Sequence, residues 1–312
     1  QGHAAGAARA MMFPQHVQSY LDTLGTELSR KSTIGALVSA ARYLSGQPKA
    51  GIVDYDWTKL DADTLTRALG QMRDDKKAPA TVRKVRSAVS GVAMAAWRAG
   101  AIEDGVLARI KAVPQVRGGG KRRGRAVKAE EVAKLVMACN GSSGGASAVA
   151  RDRALLAMLF GAGLRRTEVA GALMSGWDAD TGSIEVVGKG QKRRKVPMGD
   201  AAHHVEAWLA ERRAMTCNSL ILAVHHRGQI QDRGLTAEGI YEALVRLGER
   251  VGVKVSPHDA RRTRITSLFS AGVDMATVQR LAGHSSPATT VMYDRRGQDA
   301  LEEAVRKVGG GL

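Results

Sequence analysis

The sequence predicts a mainly α protein with one small antiparallel β-sheet, divided into two domains by a basic linker. Three observations predict this. Apolar residues recur at helical spacing along most of the chain. Only two short runs, 183–187 (Ser-Ile-Glu-Val-Val) and 194–198, have strand character, and a turn containing Gly188 and Gly190 lies between them. A Gly- and Arg-rich tract at 117–125 interrupts the periodic pattern.

The first domain is expected over 13–113 and the second over 129–312. Residues 114–128 are expected as the linker, and the small, polar residues 1–12 as a segment outside the folded domains. In the first domain Val17, Tyr20, Leu21, Leu24 and Leu28 read as one helical stripe. Further helices are expected over 32–44, 63–72 and 81–99. The last of these aligns Val82, Val85, Val89, Val92 and Ala96, and Gly100 suits its C-terminal stop. Arg83, Lys84 and Arg86 fall on its outer faces. In the second domain helices are expected over 130–139, 152–160, 201–214, 236–251, 257–271, 274–282, 287–293 and 299–308.

Charge narrows the partner. The formal net charge is +17 over 312 residues, and a protein this basic ordinarily meets a polyanion. Residues 1–116 carry 16 Lys/Arg against 10 Asp/Glu, whereas the twelve residues 117–128 carry 6 basic residues and no acidic one. The tract therefore adds as much net charge as the whole preceding region, and Lys121, Arg122, Arg123 and Arg125 become candidate phosphate contacts. No run of about 18 apolar residues is present, so no membrane span is expected. Two distant cysteines, Cys139 and Cys217, argue against a disulfide framework and for a reducing compartment. The adjacent pairs His203-His204 and His225-His226 have no Cys or carboxylate cluster beside them, so no metal site is expected.

Four local segments carry chemistry together. Gly163-Leu-Arg165-Arg-Thr-Glu168 puts an Arg where one helix ends and another starts, with Glu168 placed to orient it. Gly188-Lys189-Gly190-Gln-Lys192 puts a lysine on a turn. Ser256-Pro257-His258-Asp-Ala-Arg261 has an N-cap and a helix-opening Pro, with His258 and Arg261 at i and i+3. Gly283-His284 closes one helix, Ser286-Pro287 opens the next, and Tyr293 ends it. As a set they read as a phosphoryl-transfer site without metal. Arg165 and Arg261 would clamp nonbridging oxygens, His258 and His284 would donate or move a proton, and Tyr293 would attack phosphorus.

The order Gly-Leu-Arg-x-x-Glu, Gly-Lys-Gly-x-Lys, His-Asp-x-Arg-Arg-Thr, Gly-His-Ser, then Tyr nine residues after His284, resembles the tyrosine recombinase (phage integrase) family over most of the chain. The resemblance implies a helical core-binding domain and a catalytic domain that clamp double-stranded DNA. It implies Lys189 as the general acid on the leaving 5′ hydroxyl, and strand exchange through a Holliday junction by a homotetramer on DNA, with no cofactor. It points to a cytoplasmic, nucleoid-associated protein that is monomeric when free. The short stretch before the first helix suggests a compact form lacking an arm-binding domain. Ala282 and Arg264 depart from the family pattern, which has Leu and an aromatic there. Two other readings of the same residues are a type IB topoisomerase and a non-catalytic DNA-binding regulator.

Overall fold

A computed structural model describes residues 13–116, 124–188, 191–212, 215–284 and 286–294. The chain divides into two compact units, 1–123 and 124–312.

Among the described residues the first unit packs five α-helices: α1 (Gln15–Asp22), α2 (Glu27–Ser45), α3 (Ala62–Asp74), α4 (Pro79–Arg98) and α5 (Asp104–Ala112). The stripe expected from Val17 to Leu28 is two helices. Thr26 breaks it by adopting extended backbone and accepting from the Ser29 amide, which caps α2. α5 and the short 3-10 turn carrying Trp57 were not foreseen from the sequence. Trp57 is buried among Leu37, Leu65 and Val89, and its indole N–H donates to the Ile52 carbonyl at 2.8 Å. Two of the three basic residues assigned to outer faces are committed within this unit. Arg83 donates to the Val116 carbonyl at 3.2 Å, and Arg86 donates to the Val113 and Lys111 carbonyls at 2.7 and 2.8 Å, tying down the end of α5. Lys84 alone of the three stays exposed, beside Ser32 and Lys31 in a groove between α2 and α4 of about 470 Å³.

The second unit is built on α6 (Ala129–Ala138), α7 (Gly145–Leu156), α8 (Arg166–Ala170), α9 (Ala202–Arg212), α10 (Ala237–Arg250), α11 (Pro257–Ser270), α12 (Met275–Ala282) and α13 (Pro287–Val291). An antiparallel sheet runs β1 (Trp177–Asp178), β2 (Ser183–Val187), β3 (Arg193–Pro197), with Val186 opposite Arg194 and Ile184 opposite Val196. A second ladder, β4 (Leu222–Val224) with β5 (Ile230–Gly234), was missed by the sequence reading, because only β4 is buried and neither strand alternates cleanly. The central core gathers Leu155, Met158, Leu159, Ile184, Val196, Trp208 and Leu244.

The span expected as a linker is partly structured. Val127 is buried in the second core and its amide donates to Thr263 Oγ1 at 2.8 Å. The Arg125 amide donates to Asp259 Oδ1 at 2.7 Å, and its guanidinium pairs with Glu131. That bond first, then the Lys128 amide, holds the Glu131 carboxyl down to about 2. Arg125, expected to contact phosphate, is therefore held in an intramolecular ion pair. Gly124 turns the chain at φ +91°, where a Cβ would meet Asp259 Oδ1 at 2.5 Å. Lys121, Arg122, Arg123 and the helix expected over 299–308 lie outside the described residues.

Candidate active site

The site forms where three turns of the second unit meet. The first follows α7, whose C-terminal end widens into a π-helical turn, Ala157–Gly161. Gly163 then reverses the chain at φ +67°, and its Cα faces Arg264, whose Cγ would lie 3.0 Å from a Cβ. Arg264, which stands where the family pattern has an aromatic, covers the glycine with its aliphatic stem. Arg165 is half-buried as the N-cap of α8. α8 is a single turn, so the site's positive potential comes from side chains rather than from a helix dipole.

Glu168 is 3% exposed. Its carboxylate accepts the Arg165 amide at 2.9 Å and Arg165 Nη1 at 2.8 Å. Burial pushes this carboxyl up, but hydrogen bonds from Arg194 and Arg165 and the charges of both outweigh burial, so it lies below the usual range and stays ionised. The Arg165 Nη2 reaches the Gly283 carbonyl at 3.2 Å.

Arg261, from the first turns of α11, is 3% exposed. Nη1 donates to the Gly163 carbonyl at 2.8 Å and Nη2 to the Ala282 carbonyl. One guanidinium thus fastens the Gly163 turn to the end of α12. Burial first, then the charge of Arg165, lowers Arg261 to about 10, which leaves it cationic at neutral pH. His258, three residues earlier, is exposed at the helix start. The two expected neighbours therefore face different surroundings, one solvent and one the buried turn. Ser256 caps this helix, with its amide and hydroxyl donating to Asp259 Oδ2 at 2.9 and 2.7 Å.

The third turn ends α12. Gly283 takes φ +60°, and His284 follows at 8% exposure. Its Nδ1 lies 2.9 Å from Thr290 Oγ1, and its carbonyl accepts from Gln279 Nε2 at 3.1 Å. The imidazole and the Tyr293 ring stack with centroids 5.7 Å apart at 17°. Arg262 sits 5.2 Å above the Tyr293 ring, and the Tyr293 ring also packs on the small core of Ile265, Phe269 and Val278. Burial first, then the charges of Arg261, Arg165 and Arg194, lowers His284 to about 4, so it is neutral at pH 7.

That shift has a testable sign. A folded His near 4 against 6.5 unfolded means that the unfolded chain binds the extra proton. Stability is complete above pH 6.5 and falls as pH drops toward 4. Urea titrations between pH 7 and 4.5 should show a loss of stability that is smaller in His284→Gln. Equal pH dependence in the two proteins would contradict it.

The structure brings Arg165, Glu168, Arg261, His284 and Tyr293 together. It leaves His258 at the exposed rim. Lys189 lies outside the described residues. Its neighbour Gly188 is described, with its amide donating to the Lys192 carbonyl at 2.8 Å and its backbone against Arg194 and Glu168. Lys192 is exposed and lines, with Arg165, Arg193, Arg194, Arg280 and His284, a cleft of about 1370 Å³. Sequence reasoning missed Arg194, Arg262 and Thr290. The signals were present. Arg194 shares the inward face of β3 with Val196, Arg262 follows Arg261 directly, and Thr290 stands one helical turn before Tyr293.

A helical unit that gathers buried guanidiniums, a neutral histidine and a tyrosine beside a basic cleft is suited to phosphoryl transfer by a tyrosine nucleophile. Residues 125–298 match the phage integrase family. The tyrosine recombinase XerC of Corynebacterium glutamicum is 32% identical over 254 residues, covering 81% of this chain and 79% of that one. The tyrosine recombinase XerA of Thermococcus kodakarensis is 36% identical over 159 residues, 50% of this chain and 55% of that one. The chain thus spans about half the length of this second relative. In fold it is similar to the Tn1549 transposon integrase solved with transposon right-end DNA, at TM-score 0.68 and 15% identity, covering 95% and 98% of the two chains. It is also similar to the XerH recombinase bound to a palindromic difH substrate, at 0.66 and 21%, covering 89% and 79%. The chain belongs to the phage integrase family of tyrosine recombinases, the site-specific enzymes that break and rejoin DNA strands.

Proposed function

We propose that this recombinase cuts double-stranded DNA with Tyr293 and stores the broken bond as a 3′-phosphotyrosine. The observation that carries this is the convergence of Arg165, Arg261, His284 and Tyr293 from segments up to 128 positions apart. The phenol oxygen attacks phosphorus and the phosphorus–O5′ bond breaks. The phenol proton leaves to a base, and Lys189 gives a proton to the departing 5′ oxygen. Attack by the 5′ hydroxyl of a second strand reverses the sequence and rejoins DNA without net hydrolysis. Arg165 and Arg261 balance the charge that builds on the nonbridging oxygens. With Thr290 donating to Nδ1, His284 presents Nε2–H to the same group, while exposed His258 reaches the phosphate from the rim. Lys84 and Lys192, with Lys121, Arg122 and Arg123, hold the DNA backbone. In this reading the enzyme works on core-type sites as a homotetramer, passes through a Holliday junction, and acts inside the cell on the nucleoid.

A duplex nicked beside the cleavage position tests the reading, because the severed strand diffuses away and traps the adduct. Formation of a covalent adduct together with joining of two DNAs supports it. An adduct with relaxation of supercoils but no joining would indicate a topoisomerase, and binding alone a regulator.

Assembly has its own expectation. Leu301, Ala304, Val305 and Val308 recur at helical spacing in the sequence, and a helix as short as the one expected there would need a surface to dock on. Deleting 298–312 should leave binding to a single site intact but weaken the synaptic tetramer in gel-shift and crosslinking assays. A truncated enzyme that assembles and recombines like the full chain would refute the docking role.

A further inference from the structure

β3 pairs with β2 so that Arg194 stands opposite buried Val186 and shares a face with buried Val196. Strand alternation reserves that face for apolar side chains, yet a guanidinium occupies it with only 14% of the side chain exposed. Such a group is costly to bury unless its donors are matched, and here three are. Nη1 and Nη2 donate to Glu168 Oε1 and Oε2 at 2.8 and 2.9 Å, and Nε donates to the Leu281 carbonyl at 3.0 Å. The fork also lies flat beneath Gly283, where a Cβ would come within 2.9 Å of Cζ.

Arg194 thereby changes what Glu168 can do. Each carboxylate oxygen already takes one bond from the Arg165 residue, Oε1 from Nη1 and Oε2 from the backbone amide. With the fork of Arg194 added, each oxygen accepts two bonds. No free lone pair is left to draw Nη2 of Arg165, which donates to the Gly283 carbonyl at 3.2 Å, into a closed bidentate pair. Charge points the same way: Arg165, Arg194 and Arg261 face one carboxylate, so the cluster keeps two positive charges for an incoming phosphate diester. At its other end the same guanidinium donates to the Leu281 carbonyl and lies close against Gly283, the residues that lead into His284.

We propose that Arg194 is a positioning residue for strand cleavage: it saturates Glu168 so that Arg165 keeps an open edge toward the scissile phosphate, and it pins the Gly283–His284 turn. This rests on the reading of Arg165 and Tyr293 given above. Arg194 does not touch the reacting atoms in this scheme. Its removal would free Glu168 to close on Arg165 and neutralise it. Lysine restores one charge but not the planar fork.

The test measures single-turnover adduct formation on the nicked duplex by the full chain carrying Arg194→Met, Arg194→Lys, Arg165→Ala or Glu168→Gln with Arg194→Met. Each protein is run on the ordinary phosphate and on a methylphosphonate at the cleavage position. Arg194→Met should slow cleavage about 100-fold, the scale of a small misplacement of reacting groups, and Arg194→Lys about 10-fold, in keeping with the fork's loss. The methylphosphonate lacks the charge that Arg165 balances, so the deficit of Arg194→Met should shrink on it, as should that of Arg165→Ala. The added Glu168→Gln removes the carboxylate that would capture Arg165, and should recover part of the rate. An equal deficit of Arg194→Met on both substrates, or a double variant no faster than the single one, would overturn the positioning role. Normal cleavage by Arg194→Met while Arg165→Ala fails would do the same. Normal cleavage by Arg165→Ala would instead overturn the underlying site.

Discussion

Tyr293→Phe is expected to bind DNA like the unaltered enzyme and to form no covalent adduct. The substitution removes one oxygen and keeps the ring. The ring's packing should therefore persist: its stack on His284 at 5.7 Å, its place below Arg262 and its contact with the Ile265–Phe269–Val278 core. Stability should change by less than about 1.5 kcal/mol, the range of volume-conserving swaps. Chemistry should vanish, because the nucleophile is the bond-forming atom rather than a helper. Gel shift on the intact duplex and denaturing electrophoresis on the nicked one separate the two effects. If Tyr293→Phe still yields a 3′-phosphotyrosyl product, another tyrosine carries the nucleophile, with exposed Tyr241 next in line.

How much of this could be read in the sequence varies with the physical origin of each feature. Helices with either a continuous apolar stripe or a cap of their own were legible: α4 follows from the Val82–Ala96 periodicity and α11 from Ser256-Pro257. The break at Thr26 was not, because the apolar spacing runs straight across it and only the N-cap chemistry marks it. β4 and β5 were hidden because a half-exposed ladder between long helices has neither length nor alternation. For the site, residues whose chemistry is unusual for their position stood out: an Arg after Gly-Leu, a His after a helix-ending Gly. Arg194 did not, since among Lys192, Arg193 and Lys195 it reads as one more solvated cation. Its alternation with Val196 and the strand register, with Val186 across from it, mark it as the one turned inward. Arg83, Arg86 and Arg125 show what net charge leaves out. Net charge counts every cation alike, but these three also hydrogen-bond carbonyls or a carboxylate of their own fold, which no sequence pattern marks.

The second large effect concerns the leaving group. A 5′ alkoxide is a poor leaving group at neutral pH, so a proton must reach the oxygen as the bond to phosphorus breaks. Lys189 follows Gly188, whose backbone lies against Glu168 and Arg194, and no described carboxylate or cysteine beside the cleft is protonated to serve instead: Glu168 is held ionised, and neutral His284 is a weak acid. Lys189→Ala should therefore slow cleavage by about 10²- to 10⁴-fold, the worth of a general acid. DNA affinity should fall only slightly, as for loss of one phosphate contact. Replacing the 5′ bridging oxygen by sulfur separates proton donation from every other role of the lysine, because a thiolate departs without a proton. On that substrate Lys189→Ala should cleave at a rate near that of the unaltered enzyme, while Tyr293→Phe stays inactive. If sulfur does not rescue Lys189→Ala, the acid lies elsewhere, and exposed Lys192 at the mouth of the same cleft becomes the residue to test.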